Sequence, residues 1–247
     1  MKKQTIIVTG ASSGIGKSVA KYFLERGDNV VINSLTHDKL LQTYNELAPK
    51  ENIAMVSGDV RHKQTGEQLL AAALEKFGSA DVLINNAGIF DTKPFLEVDE
   101  NYLDRFLNTN LKGTFFTTQA FIPQMLKQKE GVVINIGTPI VNHAFGGFPT
   151  TAPLSSKGAI HSLTLQLAAE FGRHNIRVNT VAPGTIRTPM HEVNGEDVSY
   201  KSAGLTLLNR VGEAEHIAQM VYTVAKNDFI TGTIINVDGG MMAGRNL

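Results

Sequence analysis

The segment Gly10-Ala11-Ser12-Ser13-Gly14-Ile15-Gly16 is the part of this sequence best suited to hold a charged ligand. It follows the apolar run Ile6-Ile7-Val8 and leads into Ile15, Val19, Tyr22 and Phe23, which recur along one face of a helix. Glycines at such a junction let the backbone turn tightly and approach a diphosphate. The free first-turn N–H groups and positive dipole end of the helix then face the negative charge. The spacing is G-x-x-x-G-x-G rather than G-x-G-x-x-G, and a turn that merely joins strand to helix is the plainer alternative. Its place at the first strand–helix junction points to a dinucleotide. Other reactive groups are sparse. There is no cysteine, which excludes disulfides, thiolate nucleophiles and cysteine-based zinc sites. The histidines are scattered without an H-x-x-x-H pair, so no metal site is expected. His143 and Tyr200 each carry a transferable proton, but a solvated loop histidine and a packing tyrosine are the simpler readings.

A frame must hold that loop, and the chain alternates strand and helix throughout. Apolar runs at 6–8, 30–32, 53–56, 82–84, 132–136, 178–181 and 234–237 read as strands. Helical spacing lies between them, including Leu69 to Phe77 closed by Gly78, and Ser155 to about Arg173. Another long helical stretch spans about Asp99 to Lys127, with Pro123 as its expected bend. Gly27 is expected to close the first helix. Seven strands joined by helices predict an α/β fold, a Rossmann-type doubly wound seven-stranded parallel sheet with helices on both faces. Ligands bind beyond the carboxyl ends of such strands, where Gly10, Asn33, Asp59, Asn85, Gly137 and Pro183 fall. Residues 1–247 read as one domain. Residues 184–210 have no clear period and are long for a connection, which suits a substrate lid.

Composition narrows the partners. The 23 basic and 23 acidic side chains cancel, which argues against a nucleic-acid binder held by a basic surface. The longest apolar run, Leu69 to Leu74, is far too short to span a bilayer. Lys2 and Lys3 are followed only by Ile6, Ile7 and Val8, too few for a signal-peptide core. A soluble, cytoplasmic protein is expected.

Several spaced segments resemble the short-chain dehydrogenase/reductase family. Thr9 to Gly16 is similar to its cofactor loop, Asn85-Asn86-Ala87-Gly88 to its NNAG segment, and Asp59-Val60 to its adenine-side pair. Pro183-Gly184-Thr185-Ile186-Arg187-Thr188 resembles its nicotinamide-side segment. The resemblance implies a nicotinamide cofactor held by Gly10, Ser12, Ser13, Gly14, Ile15, Gly16, Ser34, Leu35, Asp59, Val60, Asn86, Ala87, Gly88, Lys157, Pro183, Gly184, Ile186 and Thr188. At the end of the second strand a carboxylate would hold the ribose hydroxyls and repel a 2′-phosphate. Ser34 and Leu35 stand there instead, which favours NADP over NAD.

The same resemblance implies a catalytic set of Asn110, Thr138 in the family's serine position, and Lys157. Pro139 biases Thr138 toward extended backbone. The family's tyrosine would stand four residues before Lys157, where this chain has Pro153, and no tyrosine lies between Tyr102 and Tyr200. Proline is tolerated in the first turn of a helix but has no proton to give. Losing a general acid costs about 10²–10⁴ in rate. The expected activity is hydride transfer between the cofactor and a small carbonyl or alcohol. The alternative is a catalytically impaired relative that binds nucleotide as a sensor or partner subunit. A homo-oligomer, tetramer or dimer, is implied by the family, with Phe115, Phe116 and Phe121 as packing or subunit-contact residues.

Overall fold

The computed structural model describes residues 3–47, 50–193 and 195–244. Seven strands form one sheet: β1 (Thr5–Val8), β2 (Asn29–Ser34), β3 (Ile53–Ser57), β4 (Val82–Asn85), β5 (Gly131–Ile136), β6 (Ile176–Pro183) and β7 (Ile234–Val237). All are parallel, in the order β7-β6-β5-β4-β1-β2-β3. The order reverses between β1 and β4, which opens a crevice at their carboxyl ends. The helices are α1 (Gly14–Leu24), α2 (His37–Glu46), α3 (Lys63–Phe77), α4 (Glu100–Phe106), α5 (Gly113–Gln128), α6 (Thr151–Phe171) and α7 (Ala214–Lys226).

The strands read as unbroken apolar runs because both faces of the sheet are covered. Ile6 and Val8 point one way, into a cluster with Val19 and Phe23 of α1 and Ile217 and Val221 of α7. Ile7 points the other way, toward Leu69 of α3, Phe121 and Met125 of α5 and Ala168 of α6. Each fully buried side chain of this size contributes about 1.5–3 kcal/mol. A polar thread crosses the second core. Asn85 Nδ2 donates to Thr118 Oγ1 and Asn135 Oδ1, both at 2.9 Å. Asn135 Nδ2 donates to Thr164 Oγ1 at 2.9 Å, and Thr164 Oγ1 lies 2.7 Å from Thr180 Oγ1. Such bonds are worth most where water is excluded, and they tie β4, β5 and β6 to α5 and α6 just below the crevice.

Four boundaries differ from the sequence pattern. The 99–127 stretch is interrupted by a π-helical turn, Leu107–Lys112, separating α4 from α5. α6 begins at Thr151, so Pro153 lies inside its first turn, where a missing N–H costs nothing. α1 ends at Leu24, and Gly27 turns in the left-handed region (φ 85°) beyond its cap. The 184–210 segment holds short pairings: Ile186–Arg187 runs parallel to Gly212–Glu213, and Glu192–Val193 antiparallel to Glu196–Asp197. Strands of two residues leave no period to read. No helix among the described residues is long and apolar enough to cross a membrane, and no cluster of metal-ligating side chains occurs among them.

Candidate active site

The glycine loop runs from β1 into α1 with Gly10 and Gly14 at positive φ, 64° and 52°. A Cβ on Gly14 would meet Thr188 Cγ2 at 3.2 Å, so the loop and the segment after β6 face each other across a gap kept open by the missing side chain. A Cβ on Gly16 would fall 2.5 Å from both Asn86 Nδ2 and Gly10 O. The first turn of α1 has no acidic residue and no side-chain cap from Ser13. Its amides are therefore left for an outside anion. This cradle fits a diphosphate bridge. Asn86 braces the loop: its Nδ2 donates to Thr9 O (2.9 Å) and Gly10 O (3.0 Å). Ala87 N–H donates to Thr9 Oγ1 at 3.0 Å.

Toward the adenosine end, Ser12 Oγ and Ser34 Oγ lie 2.9 Å apart, and Ser34 is buried. Leu35 is exposed beside it. Asp59 is engaged by Arg61, whose Nε donates to its Oδ2 at 2.7 Å. Val60 packs on the start of α5, where a Cβ on Gly113 would meet its Cγ2 at 2.9 Å. On the nicotinamide side, Gly184 presses against Asp238 at the end of β7, and Ile186 turns its side chain into the core.

Asn110, in the π turn, is almost fully buried. Its Oδ1 accepts from Ile89 N–H at 2.9 Å, while Nδ2 donates to Ile89 O (3.1 Å) and Ser156 Oγ (2.9 Å). A side chain this completely occupied positions the loop after Gly88. A π turn widens the helix locally and often marks a functional site. A Cβ on Gly88 would meet Asn110 Oδ1 at 3.2 Å and Lys157 Nζ at 3.4 Å, so the three residues converge. Lys157 Nζ donates to Ile136 O at 2.7 Å. Burial without a carboxylate partner pushes the ammonium down to about 8. Thr138, two residues beyond Ile136, has extended backbone (φ −157°, ψ 142°), and its hydroxyl has no protein partner among the described residues. Pro153 is buried, and its carbonyl accepts from Ser156 Oγ at 2.7 Å.

The short chain dehydrogenase family matches residues 4–199. This chain belongs to that family. It is 31% identical over 247 residues to 3-oxoacyl-[acyl-carrier-protein] reductase of Thermotoga maritima, covering 98% of this chain and 99% of that protein. It is 35% identical to L-rhamnose 1-dehydrogenase (NAD(P)(+)) of Sphingomonas sp., covering 98% and 97%. A crystal structure of a short chain dehydrogenase from Bacillus anthracis superposes with a TM-score of 0.88 at 30% identity, covering 99% of this chain and 98% of that one. Membership of the short chain dehydrogenases makes this protein a general oxidoreductase, of a class that works with nicotinamide nucleotides on small molecules.

Two site residues of this short chain dehydrogenase escape the sequence pattern. Ser156 links Asn110 to Pro153. His161, one turn beyond Lys157, is buried with Nε2 unpartnered. A Cβ on Gly137 would lie 2.7 Å from that nitrogen. Burial, and then the Lys157 charge, hold the imidazole below its ordinary range. The four-residue spacing from Lys157 was the available signal. His143 packs edge-on against Phe145 at 5.3 Å on an exposed loop, and Tyr200 is 60% exposed.

Proposed function

We propose that the protein transfers a hydride between a nicotinamide nucleotide, NADP in preference to NAD, and a small carbonyl or alcohol. Gly10 to Gly16 and the first-turn amides of α1 would hold the diphosphate, and Gly184 to Thr188 would flank the nicotinamide. The bound nicotinamide supplies or accepts the hydride. The rest is proton chemistry at this chain's own atoms. Thr138 Oγ1, without a protein partner among the described residues, donates a hydrogen bond to the substrate oxygen. Lys157 Nζ gives that oxygen a proton as the carbonyl becomes an alcohol, and as the neutral amine takes one back in the reverse direction. Asn110 holds the Gly88–Ile89 backbone beside it.

The observation that carries the reading is the convergence of the half-buried Lys157 ammonium with Gly88 and Asn110. An acidity of about 8 lies near working pH, where a general acid–base is most effective. Lysine can thereby do what Pro153, standing in the family's tyrosine position, cannot. The NADP preference is supported by Ser12 and Ser34, which bring hydroxyls and no carboxylate to the ribose end. The 184–210 segment fits a substrate lid on a single domain. Leu111, Phe115, Phe116 and Leu163 line an apolar hollow of about 430 Å³ across α5 and α6, which supports a homo-oligomer, tetramer or dimer. A cytoplasmic location belongs to the same reading. Turnover of a carbonyl panel with NADPH and NADH, beside Lys157→Ala, tests it; no nucleotide-dependent rate with any carbonyl rejects it.

Pro153 favours a second reading, a nucleotide-binding sensor or partner subunit with impaired catalysis. An inactive natural chain that gains activity on Pro153→Tyr would decide for it.

A further inference from the structure

Thr138 and α6 are connected through residues 139–150, which run against the loop that follows Gly88. The two loops are tied backbone to backbone, with Lys93 N–H donating to Pro149 O at 3.0 Å. The Phe148 and Phe90 rings meet across this seam, centroids 6.1 Å apart and planes tilted by 32°. Both rings stand close in sequence to the groups that converge on Lys157. Phe90 follows Gly88 and Ile89, whose backbone is pinned by Asn110. Phe148 lies just ahead of the first turn of α6, which carries Pro153 and leads to Lys157.

Phe148 leaves 44% of its surface exposed and Phe90 is half-buried, and the two rings are tilted rather than stacked. Polar groups border the rings, Asn142 and His143 on one loop and Asp91 and Thr92 on the other, with Asp91 Oδ1 accepting from Thr92 N–H at 2.8 Å. Residues 142–149 contain no Asp, Glu, Lys or Arg. Lys93 on the facing loop is paired with Asp99 at 3.5 Å and lies over the Tyr102 ring at 4.9 Å. A polyhydroxylated substrate would turn hydroxyls onto the two rings, and an anionic one would meet the Asp91 carboxylate while Lys93 is already paired with Asp99. An aromatic group, by contrast, gains offset or edge contacts with each ring.

We propose that Phe90 and Phe148 form a substrate-selecting wall, and that the preferred substrates carry an aromatic or similarly flat apolar group next to the carbonyl. The carbonyl part of this statement rests on the oxidoreductase reading above; the wall is a claim about binding.

The test compares acetophenone with butanone, which keeps the methyl ketone and lacks the ring. Binding to the whole protein is followed by ligand-observed NMR titration, with and without saturating NADP⁺. Acetophenone is expected to bind at least tenfold tighter than butanone. Phe148→Ala should remove about tenfold of that preference, the scale of one aromatic contact, and Phe148→Tyr should restore it. Equal binding of the two ketones, failure to bind acetophenone, or an unchanged preference in Phe148→Ala would overturn the wall. Turnover with NADPH is read separately. Acetophenone bound through Phe148, with no nucleotide-dependent reduction of it or of any other carbonyl, would overturn the proposed carbonyl chemistry and uphold the wall. Butanone reduced as readily as acetophenone, with equal affinity, would do the reverse.

Discussion

Replacing Lys157 by methionine should make the protein more stable at neutral pH while nearly stopping its chemistry. The ammonium is depressed from 10.5 to about 8 by burial alone. That difference corresponds to about 3 kcal/mol of instability at pH 7, because the unfolded chain holds this proton more tightly than the folded one. The variant loses the bond to Ile136 O, a charged-group hydrogen bond worth about 1.5–3 kcal/mol. A net gain of about 1 kcal/mol at pH 7 follows, or a melting temperature roughly 2–4 °C higher for a chain of this size. The pH dependence is the sharper signature. A base whose folded pKa is lowered penalises the fold below that pKa, and the penalty fades as pH rises from about 8 toward 10.5. The natural chain should therefore gain on Lys157→Met by about 2–3 kcal/mol between pH 7 and pH 10, ending as the more stable of the two. Denaturant titrations of both proteins at pH 7, 8, 9 and 10 give this gap directly, since groups uncoupled to Lys157 cancel in the difference and His161, held below its ordinary range, is neutral throughout it. Carbonyl reduction should fall about 10²–10⁴-fold in the variant. A stability gap that stays flat across that pH range would refute the account of a buried, uncompensated ammonium.

Reduction by the natural chain should decline as pH rises through about 8, while alcohol oxidation, which needs the neutral amine, should rise over the same interval; rate–pH profiles in both directions check this. Gly16→Ala places a methyl 2.5 Å from Gly10 O and Asn86 Nδ2. It should cost about 1–3 kcal/mol of stability and weaken nucleotide binding at least tenfold by calorimetry. Ser34→Asp sets a carboxylate beside Ser12 and should move the NADPH-to-NADH preference at least tenfold toward NADH in steady-state kinetics, at a cost of about 1.4 kcal/mol. Thr138→Val should lower kcat about 10²-fold, while Thr138→Ser retains most of it.

The sheet was legible because strands covered on both faces are written as short, uninterrupted apolar runs, and Ile6-Ile7-Val8 serves both cores at once. The glycine loop was legible for a related reason: few residues other than glycine fit where Gly10 and Gly16 touch neighbouring backbone. The π turn around Asn110 was not, since an extra residue in a helical turn changes no composition, and Pro123 drew attention instead. The first turn of α6 was missed because Thr151 to Leu154 look like loop residues, yet they fold as a helix that seats Ala152 against Tyr102 and Phe106. The roles of Ser156 and His161 depend on which way the α6 face is turned, and that is fixed only once the helix lies on the sheet.

The widened turn at Leu107–Lys112 also acts as a phase setter. An ordinary helix advances about 100° per residue, so winding the same residues regularly, with none removed, would swing α4 through roughly that angle relative to α5. Tyr102 and Phe106 would then leave Ala152, and the start of α6 would lose its seat. The irregularity that brings Asn110 inward thus keeps two helices in step, and smoothing it away would unseat the helix that carries Lys157.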